Sequence, residues 1–297
     1  MKRDQLYVEP NFFIAGGSKC GTTNLSYHLM EHEKVFMPDL NEPYYFCRLD
    51  IPRDFERESM ITEKNKYLEL FKNAKDGDRI GEATSAYLHC PSAPSDIKNH
   101  FPDSKIIILV RDPIERAHSA YFSYQFMHSD KRSFSEMIDE HENKINNNEF
   151  FLYSILDPGF YSKHITRYQD VFDKEHLKII IFEDYIKNTE RMVRSVLDFL
   201  ELDKKIELRD QKKGAYRVPK NKITGKVLES KKFRNFASKV IPTVYRQKFG
   251  DKFLLEQTSK PNMMTEDRYR LKEIYKNEVV NLEKLLELKL PWKEFIS

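Results

Sequence analysis

Residues 11–25 read NFFIAGGSKCGTTNL, and this stretch decides the fold. Residues 12–15 are apolar on both faces, the mark of a strand buried from two sides. Gly16 and Gly17 then open a loop holding Ser18, Lys19 and Cys20, and Gly21, Thr22 and Thr23 lead into a helical pattern. Glycines let the backbone turn tightly and bring its N–H groups up to an anion. A helix starting immediately afterwards adds free amides and the positive end of its dipole. Lys19 adds a mobile positive charge and the threonines add hydroxyl donors. Gly16 and Gly21 have the spacing of the nucleotide-kinase loop G-x-x-x-x-G-K-[ST], but Thr22 stands where that motif places its lysine. The cation has moved inside the loop.

Working outward, residues 105–110 (KIIILV) and 177–182 (LKIIIF) repeat the doubly buried strand pattern, and residues 79–83 form a shorter one. Helical patterns follow at 22–32, 113–127 and 188–200, the last with Met192, Val193, Val196, Leu197 and Leu200 on one face. Strands alternating with helices predict an α/β fold: a central parallel sheet flanked by helices, with right-handed crossovers and the phosphate-loop-like turn at one strand end. Asp112, Pro113 and Glu115 have the order of an N-cap, N1 and N3 at a helix start. Residues 201–222 read as a polar loop, 223–260 as helical and then irregular, and 265–288 as a long charged helix followed by Trp292. One domain over residues 1–297 is expected, with a nucleotide-binding core at about 10–200 and a helical and loop region at about 201–297.

The 50 basic and 47 acidic residues leave a net charge of +3, so no global field would draw the chain to nucleic acid; an anion site must be built locally. The apolar run near the N-terminus is too short for a signal segment or membrane span, and no long apolar stretch follows. Cys20, Cys47 and Cys90, an odd and sparse set without C-x-x-C spacing, argue against a disulfide framework or zinc cluster and for a reducing, cytoplasmic setting. Oligomeric state is not readable.

After KIIILV comes Arg111, where a ligand-facing side chain lies in open α/β sheets, and its planar fork suits a phosphate. Ser119 lies about two turns into the next helix and can reach the same side, while Arg116 and His118 read as surface or structural residues. A site that neutralises its anion with Lys and Arg has less need of Mg²⁺, so no metal is expected. In residues 40–46, LNEPYYF, Glu42 stands beside aromatics; a carboxylate there can act as a base, although the spacing alone favours a plain loop glutamate against core aromatics.

GGSKCGTTNL at residues 16–25 resembles the 5′-phosphosulfate-binding loop of sulfotransferases that use 3′-phosphoadenosine-5′-phosphosulfate (PAPS), above all the heparan-sulfate type and related bacterial enzymes. The resemblance implies that Gly17, Ser18, Lys19, Cys20, Gly21, Thr22 and Thr23 hold the phosphosulfate, with Lys19 stabilising the bridging oxygen as sulfate leaves. It implies that Arg111 and Ser119 grip the 3′-phosphate and that Glu42 deprotonates a small-molecule or glycan acceptor. It places Tyr161, after Pro158 and Gly159, on the cofactor cleft, and Lys213, Gly214 and Arg217 in a loop closing over the nucleotide. GEATSAYL at residues 81–88 departs from the family: Glu82 matches, but Ala83 replaces the usual lysine. Tyr44, Tyr45, Phe46 and Tyr87 would suit stacking against an acceptor. The rival readings are a nucleotide kinase using ATP and Mg²⁺ and a nucleotide binder without catalysis.

Overall fold

In a computed structural model, which describes residues 8–51, 60–128, 130–208, 217–220, 224, 255–258 and 260–296, the stretch at 12–15 becomes β1 (Phe12–Gly16), every residue of it buried. The chain continues through α1 (Thr22–Leu29), β2 (Val35–Phe36), α2 (Lys64–Glu69), β3 (Arg79–Ala83) and α3 (Ala93–His100). Then come β4 (Lys105–Val110), α4 (Pro113–His128), α5 (Phe134–Asn146), α6 (Tyr161–Gln169), β5 (Leu177–Ile181), α7 (Phe182–Lys187) and α8 (Thr189–Phe199). A short pair, β6 (Arg217–Pro219) and β7 (Leu255–Gln257), precedes α9 (Thr265–Leu286).

The sheet has the order β2-β3-β1-β4-β5 and every pairing in it is parallel. β1 therefore lies at the centre, with Phe12 opposite Gly81 on one side and Lys105 on the other. The all-apolar runs occupy β1 and β4 because only a strand covered on both faces needs no polar side chain. The chain leaves β1 toward β2 on one side, whereas β3 crosses over to β4 on the other. That reversal falls outside the carboxyl ends of β1 and β4, the place where open α/β sheets bind ligands in a crevice.

The expected strand at 177–182 ends one residue early, because Phe182 starts α7. β2, only two residues long, carries no period and was not expected. Asp112 caps α4, its Oδ1 accepting from the amides of Ile114 (2.9 Å) and Glu115 (3.3 Å). The Asp112 amide itself donates to the Glu183 carboxylate (3.1 Å), while Glu115 pairs with Arg268 of α9 (2.9 Å).

Residues Met1–Arg209 with Met264–Ser297 form one compact unit that contains the sheet, and Asp210–Met263 form a second, in which β6 and β7 pair antiparallel. α9 belongs to the first unit and packs on α4 and α6. Its Tyr275 hydroxyl donates to the Leu156 carbonyl (2.8 Å), and its Glu278 accepts from the Ser162 amide (2.6 Å) and hydroxyl (2.7 Å) at the start of α6. No helix among the described residues is long and apolar enough to cross a membrane.

The cysteine reading is corrected. Cys47 and Cys90 form a disulfide with Cα atoms 5.6 Å apart, and only Cys20 is free. With that pairing goes the argument for a reducing setting. The bridge ties the segment after Glu42 to the segment after Tyr87, a separation of 43 residues. Such a closure stabilises by roughly 2–4 kcal/mol, chiefly through the unfolded chain. Cys47→Ser is expected to lower the unfolding free energy by that amount in a urea titration under oxidising conditions. An unchanged midpoint, matched by no response of the parent chain to reductant, would show that the thiols stay reduced.

Candidate active site

The phosphate-type loop leaves β1 by a bond from the Gly17 amide to the Leu109 carbonyl (3.3 Å) and closes on itself through the Cys20 amide to the Gly17 carbonyl (3.0 Å). Gly17 is required by space: a Cβ there would lie 3.0 Å from Cys20 Sγ and the Pro158 carbonyl. Gly21, the N-cap of α1, is required by conformation, with φ of 93° and the Phe182 ring 2.9 Å from where a Cβ would be. Lys19 also lies in the left-handed region (φ 73°), a strained placement for a residue with a side chain, of the kind that clusters at functional sites. The residue as a whole is exposed, while its ammonium is desolvated by the protein groups around it. Burial lowers its pKa, the Glu42 carboxylate raises it and Arg111 lowers it further. Ser18 is half-buried, Thr22 is buried and Thr23 is exposed.

Arg111, immediately past β4, reaches across the crevice: its Nη1 donates to the Lys19 carbonyl (3.0 Å) and its guanidinium lies over the Phe182 ring (4.7 Å). Ser119 stands on α4 and is buried. Two expected contacts lie beneath the loop instead of on its open face. Tyr161 is fully buried, its hydroxyl donating to the Arg111 carbonyl (2.8 Å) and accepting from the Arg111 amide (3.2 Å), with Cys20 Sγ 3.5 Å away. Tyr161 thus positions Arg111 from behind. Cys20 is fully buried too, and burial pushes its thiol up to about 11. Lys213 and Gly214 lie outside the described residues, as does the side chain of Arg217.

Glu42 comes to the same end of the sheet because its amide donates to the Ala83 carbonyl (3.1 Å) at the end of β3. Its Oε1 accepts from the Ser85 hydroxyl (2.5 Å) and amide (3.4 Å), and its Oε2 accepts from the Tyr44 hydroxyl. Glu42 and Tyr44 both have positive φ (56° and 57°), so the Pro43 turn is held in a strained form. Position 83, where the family lysine is absent, contributes its carbonyl to holding the acid.

Glu82 is wholly buried. Its carboxylate accepts from Thr84 (2.5 Å), Tyr87 (2.8 Å) and Tyr67 (3.1 Å). Burial lifts its pKa to about 7, against the pull of those three hydrogen bonds, and the nearby Glu42 adds to the rise. It has the proton affinity of a base but no opening to an acceptor. The aromatics expected to line an acceptor cleft are corrected to core residues: Tyr44, Tyr45, Phe46 and Tyr87 are all buried, with Tyr45 stacked on Tyr67 at 4.3 Å. Sequence reasoning missed Ser85, which orients Glu42, and Phe182, which backs both Arg111 and Gly21; neither stands in a motif or period that marks it. A cleft lined by Glu31, His32, Asp203 and Lys205 among others lies beyond the far end of α1 and is no part of this site.

Over 258 residues the chain is 25% identical to human carbohydrate sulfotransferase 15, covering 68% of this chain and 45% of that protein. It is 29% identical over 183 residues to mouse bifunctional heparan sulfate N-deacetylase/N-sulfotransferase 3, covering 58% and 20%. The chain thus spans less than half the length of these curated relatives. A solved sulfotransferase from Alicyclobacillus acidocaldarius superposes with a TM-score of 0.73 at 25% identity, covering 96% of this chain and 99% of that one. The sulfotransferase domain model matches residues 9–287, both the crevice and the helix that closes the chain behind it, and the chain belongs to that family.

Proposed function

We propose that the chain transfers a sulfuryl group from PAPS to an acceptor hydroxyl or amine, on a carbohydrate or other small molecule, by in-line displacement. The observation that carries this reading is the placement of Lys19, Arg111 and Glu42 at one crevice. Lys19 and Arg111 are joined by a hydrogen bond, and Glu42 is close enough to Lys19 to oppose the depression of its pKa. The donor set fits the ligand. Loop amides, the α1 N-terminus and Lys19 suit the 5′-phosphosulfate, and Arg111 with Ser119 suits a 3′-phosphate. Glu42 takes the acceptor proton as the acceptor atom bonds to sulfur. The bond from sulfur to the bridging phosphate oxygen breaks, Lys19 stabilises the charge left on that oxygen, and adenosine 3′,5′-bisphosphate is released. With two cations already aimed at the anion, the transfer as proposed needs no metal. The acceptor follows the carbohydrate sulfotransferase relatives as a class only.

Ligand-induced stabilisation tests the reading. Adenosine 3′,5′-bisphosphate at a hundred times its Kd should stabilise the native state by about 2.7 kcal/mol. ADP and ATP at equal concentration, with or without Mg²⁺, should shift the melting temperature far less, since neither offers a 3′-phosphate to Arg111. A larger shift with ATP and Mg²⁺ would overturn the proposal in favour of a kinase.

A further inference from the structure

We infer that Arg116 is the buried counter-charge of the bound phosphosulfate, acting on it through the backbone of the loop. The inference rests on the proposed donor site and adds a residue that does not line it. Arg116 lies on the first turns of α4, away from any surface: it is fully buried, its Nη2 donates to the Ile155 carbonyl, and against its Nε and Nη1, which make no hydrogen bond of ordinary geometry among the described residues, stands the uncharged Tyr275 side chain. A buried ion normally carries a partner of opposite charge, because its lost hydration is otherwise uncompensated. No carboxylate among the described residues forms an ion pair with it. The ionisable groups acting on it most strongly are Tyr275, Tyr161 and Cys20. All are neutral near pH 7, since burial pushes Tyr275 up to about 12, Tyr161 well above its ordinary value and Cys20 up to about 11. Asp112, four residues earlier, turns its carboxylate to the amides of Ile114 and Glu115.

Among the described residues, the place beside Arg116 where a negative charge can arrive is the phosphate-type loop. Arg116 Cδ lies 3.1 Å from where a Cβ on Gly17 would be, so the side chain runs directly under the loop, beside Cys20. A dianion seated on the loop amides would share the Gly17 segment with the Arg116 side chain, in a setting where charges are screened far less than in water. The α4 N-terminus adds its positive dipole end nearby.

Three variants read by calorimetry with adenosine 3′,5′-bisphosphate test this. Arg116→Gln keeps a donor for Ile155 but removes the charge, and should weaken the nucleotide by about tenfold or more, the factor that corresponds to 1.4 kcal/mol. Arg116→Lys keeps the charge and should recover most of that loss. Arg116→Met, apolar and of similar length, should bind as weakly as the Gln variant while the ligand-free protein melts no lower than the Gln variant, and it carries the test if the Gln variant does not fold. Parent-like affinity in either neutral variant would overturn the inference, as would equal losses in the Lys and Gln variants, which would mark a purely steric role. Absence of binding by the parent chain would instead remove the nucleotide reading itself.

Discussion

Glu42→Gln is expected to slow single-turnover sulfate transfer to a hydroxyl acceptor by about 10²- to 10⁴-fold, the usual contribution of a positioned general base, while leaving nucleotide affinity unchanged. An alcohol is a poor nucleophile until its proton begins to leave, whereas the sulfur of PAPS is already electrophilic with a good leaving group. The substitution removes basicity and little else. Glutamine keeps an oxygen that can accept from Ser85, which now holds Oε1 at 2.5 Å, and its amide end can still face Tyr44. Near-parent rates would place the base elsewhere. Glu82 then comes next, although its enclosure by Tyr67, Tyr87 and Thr84 leaves it no contact with an acceptor unless the Pro43 turn moves. Loss of both melting temperature and nucleotide binding would mean that Glu42 serves to anchor that turn.

Lys19→Ala is expected to lower turnover by roughly 10²-fold or more, on the scale of losing one strong electrostatic stabiliser, and to weaken adenosine 3′,5′-bisphosphate much less. Negative charge grows on the bridging oxygen only as sulfur leaves it, so an ammonium aimed there contributes more in the transition state than in the ground state. The loop should survive the change. Its shape depends on Gly17, Gly21 and backbone bonds, and Arg111 grips the Lys19 carbonyl, which alanine retains. Equal losses in turnover and affinity would reduce Lys19 to a ground-state binding residue.

What the sequence determined by itself was local. The runs at 12–15 and 106–110 declare doubly covered strands because an apolar residue at every position leaves no face of the strand suited to solvent. The glycines at 16, 17 and 21 mark a loop that only a missing Cβ or a positive φ permits, and Asp112 with Pro113 marks a helix start within a few bonds of itself. Lys19 and Arg111 stand out for the same reason, each in a loop or at a strand end whose position the adjacent residues dictate, whereas Glu42 is singled out by the family resemblance, its spacing alone favouring a plain loop glutamate. What the tertiary structure alone decided joins residues far apart in the chain. Cys47 meets Cys90 because the strained Pro43 turn crosses the end of β3, and nothing in the cysteine spacing encodes that crossing. Tyr44, Tyr45, Phe46 and Tyr87 read as possible cleft walls, but packing turned them into the core around Glu82, since aromatic surface is buried wherever neighbouring elements offer cover. Tyr161 passes behind Arg111, and Arg116 passes under Gly17, because α6 and α4 converge on the back of the loop. An arginine on a helix start reads as a surface or structural residue from sequence, and only the elements stacked against it decide between the two by taking it out of water.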